Sequence, residues 1–240
     1  MTVTRTSVGT MASGISAITA TFGTGAAAGD TGLLFVETAN QAPTTPTGWS
    51  QLFAGTGFGT GGAAGASRLV VYIKLTLTSG DISGGVSIAD SGDHQNAWLV
   101  TYSGVDTASG FTTSSTNEVA TATTAVSTSS VSAVWGRVGG IVLAVIATDR
   151  DSATASTNSS PSWNNITGTN SFIENQSSAT GAGGGFVVNE LVVTDTATAG
   201  FGFTCNITSS AYTSILVVLM PPPVSPPFPN LNPMLPLLVR

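Results

Sequence analysis

Five short apolar segments occur twice in this 240-residue chain, in the same order, and that duplication constrains the fold more than any other feature. "GLLFVETAN" (32–40) is answered by "GIVLAVIATD" (140–149), and "TGWSQL" (47–52) by "PSWNNI" (161–166), which aligns Trp49 with Trp163. "LVVYIKLTL" (69–77) is answered by "FVVNELVVT" (186–194), "GGVSIAD" (84–90) by "AGFGFTCNI" (199–207), and "NAWLVTY" (96–102) by "TSILVVL" (213–219). The offsets run from 108 to 117 residues, growing where loops lengthen. Each pairing alone is weak, but five in one order mark an internal repeat.

The repeated segments read as strands. In "SRLVVYIKLTL" (67–77), Leu69, Val71, Ile73, Leu75 and Leu77 alternate with Arg68, Val70, Tyr72, Lys74 and Thr76, so one face is expected in a core and the other half-polar. No window of eleven or more residues sustains a 3.6-residue period, and Gly, Thr and Ser interrupt every helical candidate. "NEVATATTAVST" (117–128) alternates with period two and opens the second repeat, while "SVGTMASGISAITATFGTG" (7–25) plays the matching part for the first. Each half then holds about five or six strands, the number an antiparallel sandwich needs. The expected fold is all-β: one antiparallel β-sandwich or jelly-roll built from two pseudo-symmetric repeats, residues 1–106 and 107–220. No charged or proline-rich linker separates them, which argues against two independent domains.

Composition narrows the partners. Six Lys and Arg against twelve Asp and Glu make 8% charged residues and a net charge of −6. Phosphate would find no basic stripe, so no nucleic-acid partner is expected. A strand surface of Thr and Ser in place of Lys and Glu suits a subunit packed among others, or an extracellular one. With hydrophobic residues at 41%, a chain of this size can bury roughly 70–75% of its accessible surface. The single cysteine, Cys205, forbids an intrachain disulfide. "MTVTRTSVGTMASG" lacks the basic-then-apolar pattern of a signal peptide, and the apolar runs are too short for a helical membrane span, so no membrane partner is expected either.

Residues 221–240, "PPPVSPPFPNLNPMLPLLVR", carry eight of the eleven prolines. Missing backbone donors and fixed φ angles lead to the expectation of an extended arm, polyproline-like at its start. Its Phe228, Leu231, Met234, Leu235, Leu237 and Leu238 add more apolar surface than a solvated linker carries. Together with Pro221, Pro222 and Pro223 they are the expected partner-binding residues.

Chemistry-bearing residues are sparse. His94, the sole histidine, sits in "DSGDHQNAW" without a G-x-S-x-G nucleophile turn anywhere in the chain, and reads as part of a polar loop before a strand. Asp81, Asp90 and Asp93, and Asp149 and Asp151, lack the D-x-D-x-D-G spacing of a calcium loop and read as turn carboxylates. One His and one Cys cannot furnish a four-ligand zinc site within the chain. The glycine runs at 55–67 and 181–185 have no Walker lysine and read as loops between strands. Trp49 and Trp163 read as core, with a sugar-binding face the alternative. The sequons at Asn158, Asn165, Asn175 and Asn206 follow from so Thr-rich a composition. No catalytic, cofactor-binding or metal-ligating residue is expected, and no cofactor.

The run "GDTGLLFVETANQAPTTPTGWSQL", then "SRLVVYIKL" and "NAWLVTYSGVD", followed by a degenerate copy ending in "ILVVLMPP", resembles the two-repeat Gly/Ser/Thr-rich β-sandwich structural proteins of tailed bacteriophage virions. The resemblance covers roughly residues 28–222; the second copy has "SSPSWNN" where the first has "TPTGW", and the proline-rich tail lies outside it. It implies a virion component and identifies no catalytic residues; a non-enzymatic protein at the capsid surface is expected. The expected role is a capsid decoration or cement protein, a homo-oligomer with a trimer favoured, whose arm lies across the major capsid protein or other virion proteins. The alternatives are a tail-fibre or surface adhesin module that binds host glycans, and a jelly-roll glycan-cleaving enzyme.

Overall fold

The computed structural model describes residues 1–60, 65–180 and 183–223, with the backbone alone for 171–176. The first half contributes strands β1 (Thr4–Val8), β2 (Ala12–Gly14), β3 (Ile18–Ala20), β4 (Thr31–Thr38), β5 (Ser50–Ala54), β6 (Arg68–Lys74), β7 (Val86–Ile88) and β8 (Gln95–Ser103). The second contributes β9 (Phe111–Thr113), β10 (Asn117–Ser127), β11 (Ile141–Thr148), β12 (Asn158–Asn164), β13 (Gly168–Ser177), β14 (Gly185–Val193) and β15 (Gly202–Leu219). Helical structure among the described residues is the six-residue α1 (Ser79–Gly84) and one 3-10 turn, Ala133–Trp135. Every ladder among them is antiparallel. The protein is all-β.

Each half of the chain makes one large sheet, and in the first half β3 and β7 pair as a separate two-stranded sheet. The first has the order β1-β8-β4-β6-β5, with β2 also on β8; the second has the order β10-β15-β11-β14-β13, with β9 and β12 also on β15. The inner faces meet in a shared core. Leu33, Phe35, Leu69, Val71, Trp98 and Val100 come from one sheet; Leu143, Val145, Phe186, Val188, Ile215 and Val217 come from the other. At its centre Trp98 packs against Phe35 and Phe186, with ring centroids 6.0 and 6.4 Å away, and donates its indole N–H to the Gly9 carbonyl at 2.8 Å. An indole can be fully buried only where its N–H finds an acceptor, and here the chain returning between β1 and β2 supplies one.

The outer faces are covered too. On the first sheet Leu34, Val36, Val70, Tyr72 and Leu99 are covered by Ile18, Ala20, Trp49, Leu77, Val86 and Ile88. On the second, Val142, Ala144, Ile146, Val187 and Leu216 pack with Val126, Phe203, Cys205 and Ile207. All eight residues of β4 and all eight of β11 are consequently buried. Strands with both faces covered read as continuous apolar runs, as "GLLFV" and "IVLAVIA" do. Residues 69–77 depart from the expected half-polar face: Val70 and Tyr72 are buried at 2% and 0% exposure, and the strand stops at Lys74.

Two of the sequence pairings do not correspond in the sheets. β5 pairs with β6, whereas β12, which contains Trp163, pairs with β15; the strand on the free side of β14 is β13. Trp49 lies over β4, where a side-chain carbon on Gly32 would sit 2.8 Å from its ring. Trp163 lies against Phe203, at 4.6 Å between centroids. The reason is local. Pro161 cannot donate to a ladder, and β12 bulges between Ser159 and Ser162 with Ser160 at φ 54°, so this segment flanks the long strand instead of entering the edge position. In addition, 199–207 and 213–219 belong to one eighteen-residue strand, β15, while 86–88 and 95–103 stay separate around the loop that carries His94.

Candidate functional site

The expected partner-binding residues divide at Pro223. Phe228, Leu231, Met234, Leu235, Leu237 and Leu238 lie outside the described residues. Pro221, Pro222 and Pro223, where the proline-rich segment begins, run from buried through half-buried to exposed. β15 ends here because three successive prolines have no N–H to continue its ladder. Its last residue before the prolines, Met220, is clamped from both sides. Its N–H donates to the Gly110 carbonyl at 2.6 Å, and its carbonyl accepts the Asp106 N–H at 2.8 Å. The 106–110 turn is held in turn by the Asp106 carboxylate, which accepts the Ala108 N–H and the Ser109 hydroxyl at 3.0 and 3.1 Å.

Beside these prolines lies a groove of about 310 Å³ lined by Met1, Arg137, Val138, Pro221, Pro222 and Pro223. Of these, Met1 and Val138 are 86% and 55% exposed, two of the four large exposed hydrophobic residues among those described. Val3 fastens this end by donating its N–H to the Gly139 carbonyl at 2.7 Å. What the geometry offers is apolar surface beside the three prolines, with one guanidinium at its margin.

His94 sits in the loop immediately before β8 and is buried. It is 1% exposed, and its Nε2 lies 3.2 Å from Oε1 of Glu37, itself 0% exposed. Asn96 Nδ2 donates to the other carboxyl oxygen of Glu37 at 2.8 Å. The backbone of Gly184, at φ 120°, lies over this group from the second sheet; a side-chain carbon there would sit 2.1 Å from Glu37 Oε2. Burial pushes the Glu37 carboxyl above its usual range, against the opposing pull of His94 and Asn96.

A second buried carboxyl, Glu190 at 1% exposure, bridges the sheets at the opposite end of the sandwich. It accepts the Tyr102 hydroxyl at 2.8 Å and pairs with Arg5 Nη1 at 3.0 Å. Burial first, and the Glu190 carboxyl after it, hold the Tyr102 phenol well above its ordinary value, so it remains a donor. Neither Glu37 nor Glu190 is a candidate on the sequence, since each looks like a polar position in a largely apolar strand. A single Glu breaking the buried parity of an otherwise apolar run was the available signal.

Most of the remaining carboxylate candidates have structural partners. Asp81 caps α1 by accepting the Thr78 N–H at 2.7 Å and pairs with Lys74 at 2.7 Å, which brings its carboxyl down to about 2. Asp90 and Asp93 accept the N–H of Gly92 and of His94. Asp149 accepts the Ala211 N–H at 2.9 Å, and burial raises its carboxyl. Among the described residues no three His, Cys, Asp or Glu side chains converge as metal ligands. Trp49 is 7% exposed in the outer core; Trp163 is half-buried and donates to Asn170 Oδ1 at 3.0 Å. The two glycine runs both join an edge strand to its neighbour, β5 to β6 and β13 to β14. Among the described residues no helix is long and apolar enough to cross a membrane. No protein family, no curated protein and no solved structure matches the chain.

Proposed function

We propose that this protein is a non-enzymatic structural component of a tailed bacteriophage virion, a capsid decoration or cement protein that grips the assembled head and neighbouring subunits through residues 221–240. The observation that carries the reading is the root of the arm: a proline run leaves a clamped strand end beside exposed Met1 and Val138. A chain restricted by proline loses less conformational freedom on docking than a flexible one, so less ordering entropy opposes its binding. The charge-poor surface, with 8% charged residues, suits packing among other subunits.

In this reading the two sheets are two copies of one repeat. β4, β6 and β8 correspond to β11, β14 and β15, and the sandwich with one repeat per sheet is the arrangement their strand orders favour over a jelly-roll. Three copies about a threefold position are the favoured assembly. The test is binding to purified heads. The full chain is expected at stoichiometric copy number and to stabilise the heads, and deletion of 221–240 to weaken binding at least tenfold. Unchanged binding after the deletion overturns the role given to the arm; inhibition of infection by the free protein without head binding moves the assignment to an adhesin.

A further inference from the structure

We propose that the buried Glu37–His94 pair holds one shared proton through the neutral range and thereby makes closure of its end of the sandwich sensitive to pH in both directions. The inference is independent of any role on a virion. It starts from geometry: an acid and a base 3.2 Å apart, exposed by 0% and 1%, in the seam where the Gly184 backbone of the second sheet covers the first. An unneutralised charge at such a depth is costly, and the pair avoids one by carrying a single proton between its two members. Removal of that proton leaves a buried anion; addition of a second leaves a buried cation.

Several charged side chains on adjoining segments make contacts of their own. Arg68 donates to the Thr56 carbonyl, and Arg150 Nε to the Thr154 carbonyl at 3.0 Å. Asp93 accepts the backbone N–H of His94 at 2.8 Å, and Asp149 that of Ala211 at 2.9 Å. Asn96 is neutral and donates to Glu37 in either protonation state. The upward displacement of the Glu37 carboxyl by burial acts in the same direction as the pairing argument.

The sign follows from the unfolded chain, in which Glu and His titrate near about 4.3 and about 6.5. Above about 6.5 the unfolded pair binds no proton and the folded pair one, so stability from the pair is complete below that pH and is lost as pH rises through the folded value. Below about 4.3 the unfolded pair binds two protons against one, and stability is lost as pH falls. The decisive measurement is proton release on unfolding the full chain at pH 7.5, from the dependence of the unfolding enthalpy on buffer ionisation heat. With one histidine in the sequence, no second imidazole contributes. Release of about one proton per chain is expected, with the unfolded-to-folded ratio rising up to about tenfold per pH unit above 7. Release of no proton overturns the proposal. In Glu37→Gln the release is expected to disappear, and a release equal to that of the unaltered chain likewise overturns it. Should that variant fail to fold, the measurement on the unaltered chain still decides.

Discussion

Cys205 shows how far a single side chain here is governed by its surroundings. It faces the outer core of the second sheet at 4% exposure, and burial pushes its thiol up to about 12. Only the thiolate reacts, so at pH 8 the folded protein is expected to resist a thiol reagent that labels the denatured chain within minutes; fast labelling of native protein would contradict the placement. Tyr102 is the opposite case, a buried polar group with a partner. Tyr102→Phe removes the donor to Glu190 and leaves a buried carboxyl oxygen with less than its complement of hydrogen bonds, so a loss of about 1–3 kcal/mol in denaturant unfolding is expected. Arg5 remains to pair with Glu190, which places the loss toward the lower part of that range.

At the scale of elements, the seams between the sheets are made by carboxyls reaching across. Glu190 takes Tyr102 and Arg5, Glu118 of β10 accepts the Gly57 N–H at 3.0 Å, and Glu37 lies under Gly184. Apolar inner faces attract without direction, whereas these contacts pin the sheets in one relative position. Most strands were legible from the sequence because alternation and unbroken apolar runs report burial on one face or two. β11, expected over 140–149, is observed at 141–148. β13 was missed, since "GTNSFIENQS" has neither pattern and its place at the edge of a sheet needs only backbone pairing with β14. The match of Trp49 with Trp163 failed for a related reason. Similar residues after a proline-containing turn were read as equivalent, while ladder partners are chosen by available backbone donors, which Pro161 lacks.

For the whole molecule, the shared core has a direct consequence. Leu33, Phe35, Val71 and Trp98 of the first half are covered by Leu143, Val145, Phe186 and Val217 of the second, so neither half alone possesses a complete core. Residues 1–106 produced alone are expected to give no cooperative thermal transition, and mixing with 107–240 is expected to restore one. A sharp, independent transition in the isolated fragment would show two self-sufficient domains. Isolated sheets with one uncovered apolar face and open edges also aggregate, so the fragments are expected to be poorly soluble.

Sequence by itself determined the all-β class, most strand positions, the poverty of charge, and the abrupt change at Pro221, because period-two alternation, residue counts and proline chemistry are properties of the local chain. Only the tertiary structure decided that each half forms one large sheet, that β12 flanks β15, and that His94, in the loop before β8, is buried against Glu37. The physical reason is the distance along the chain. Glu37 meets a residue 57 positions away, and Tyr102 one 88 positions away. Contacts of that span are set by how strands order themselves in a sheet and how sheets face each other, and no short window of sequence contains that information.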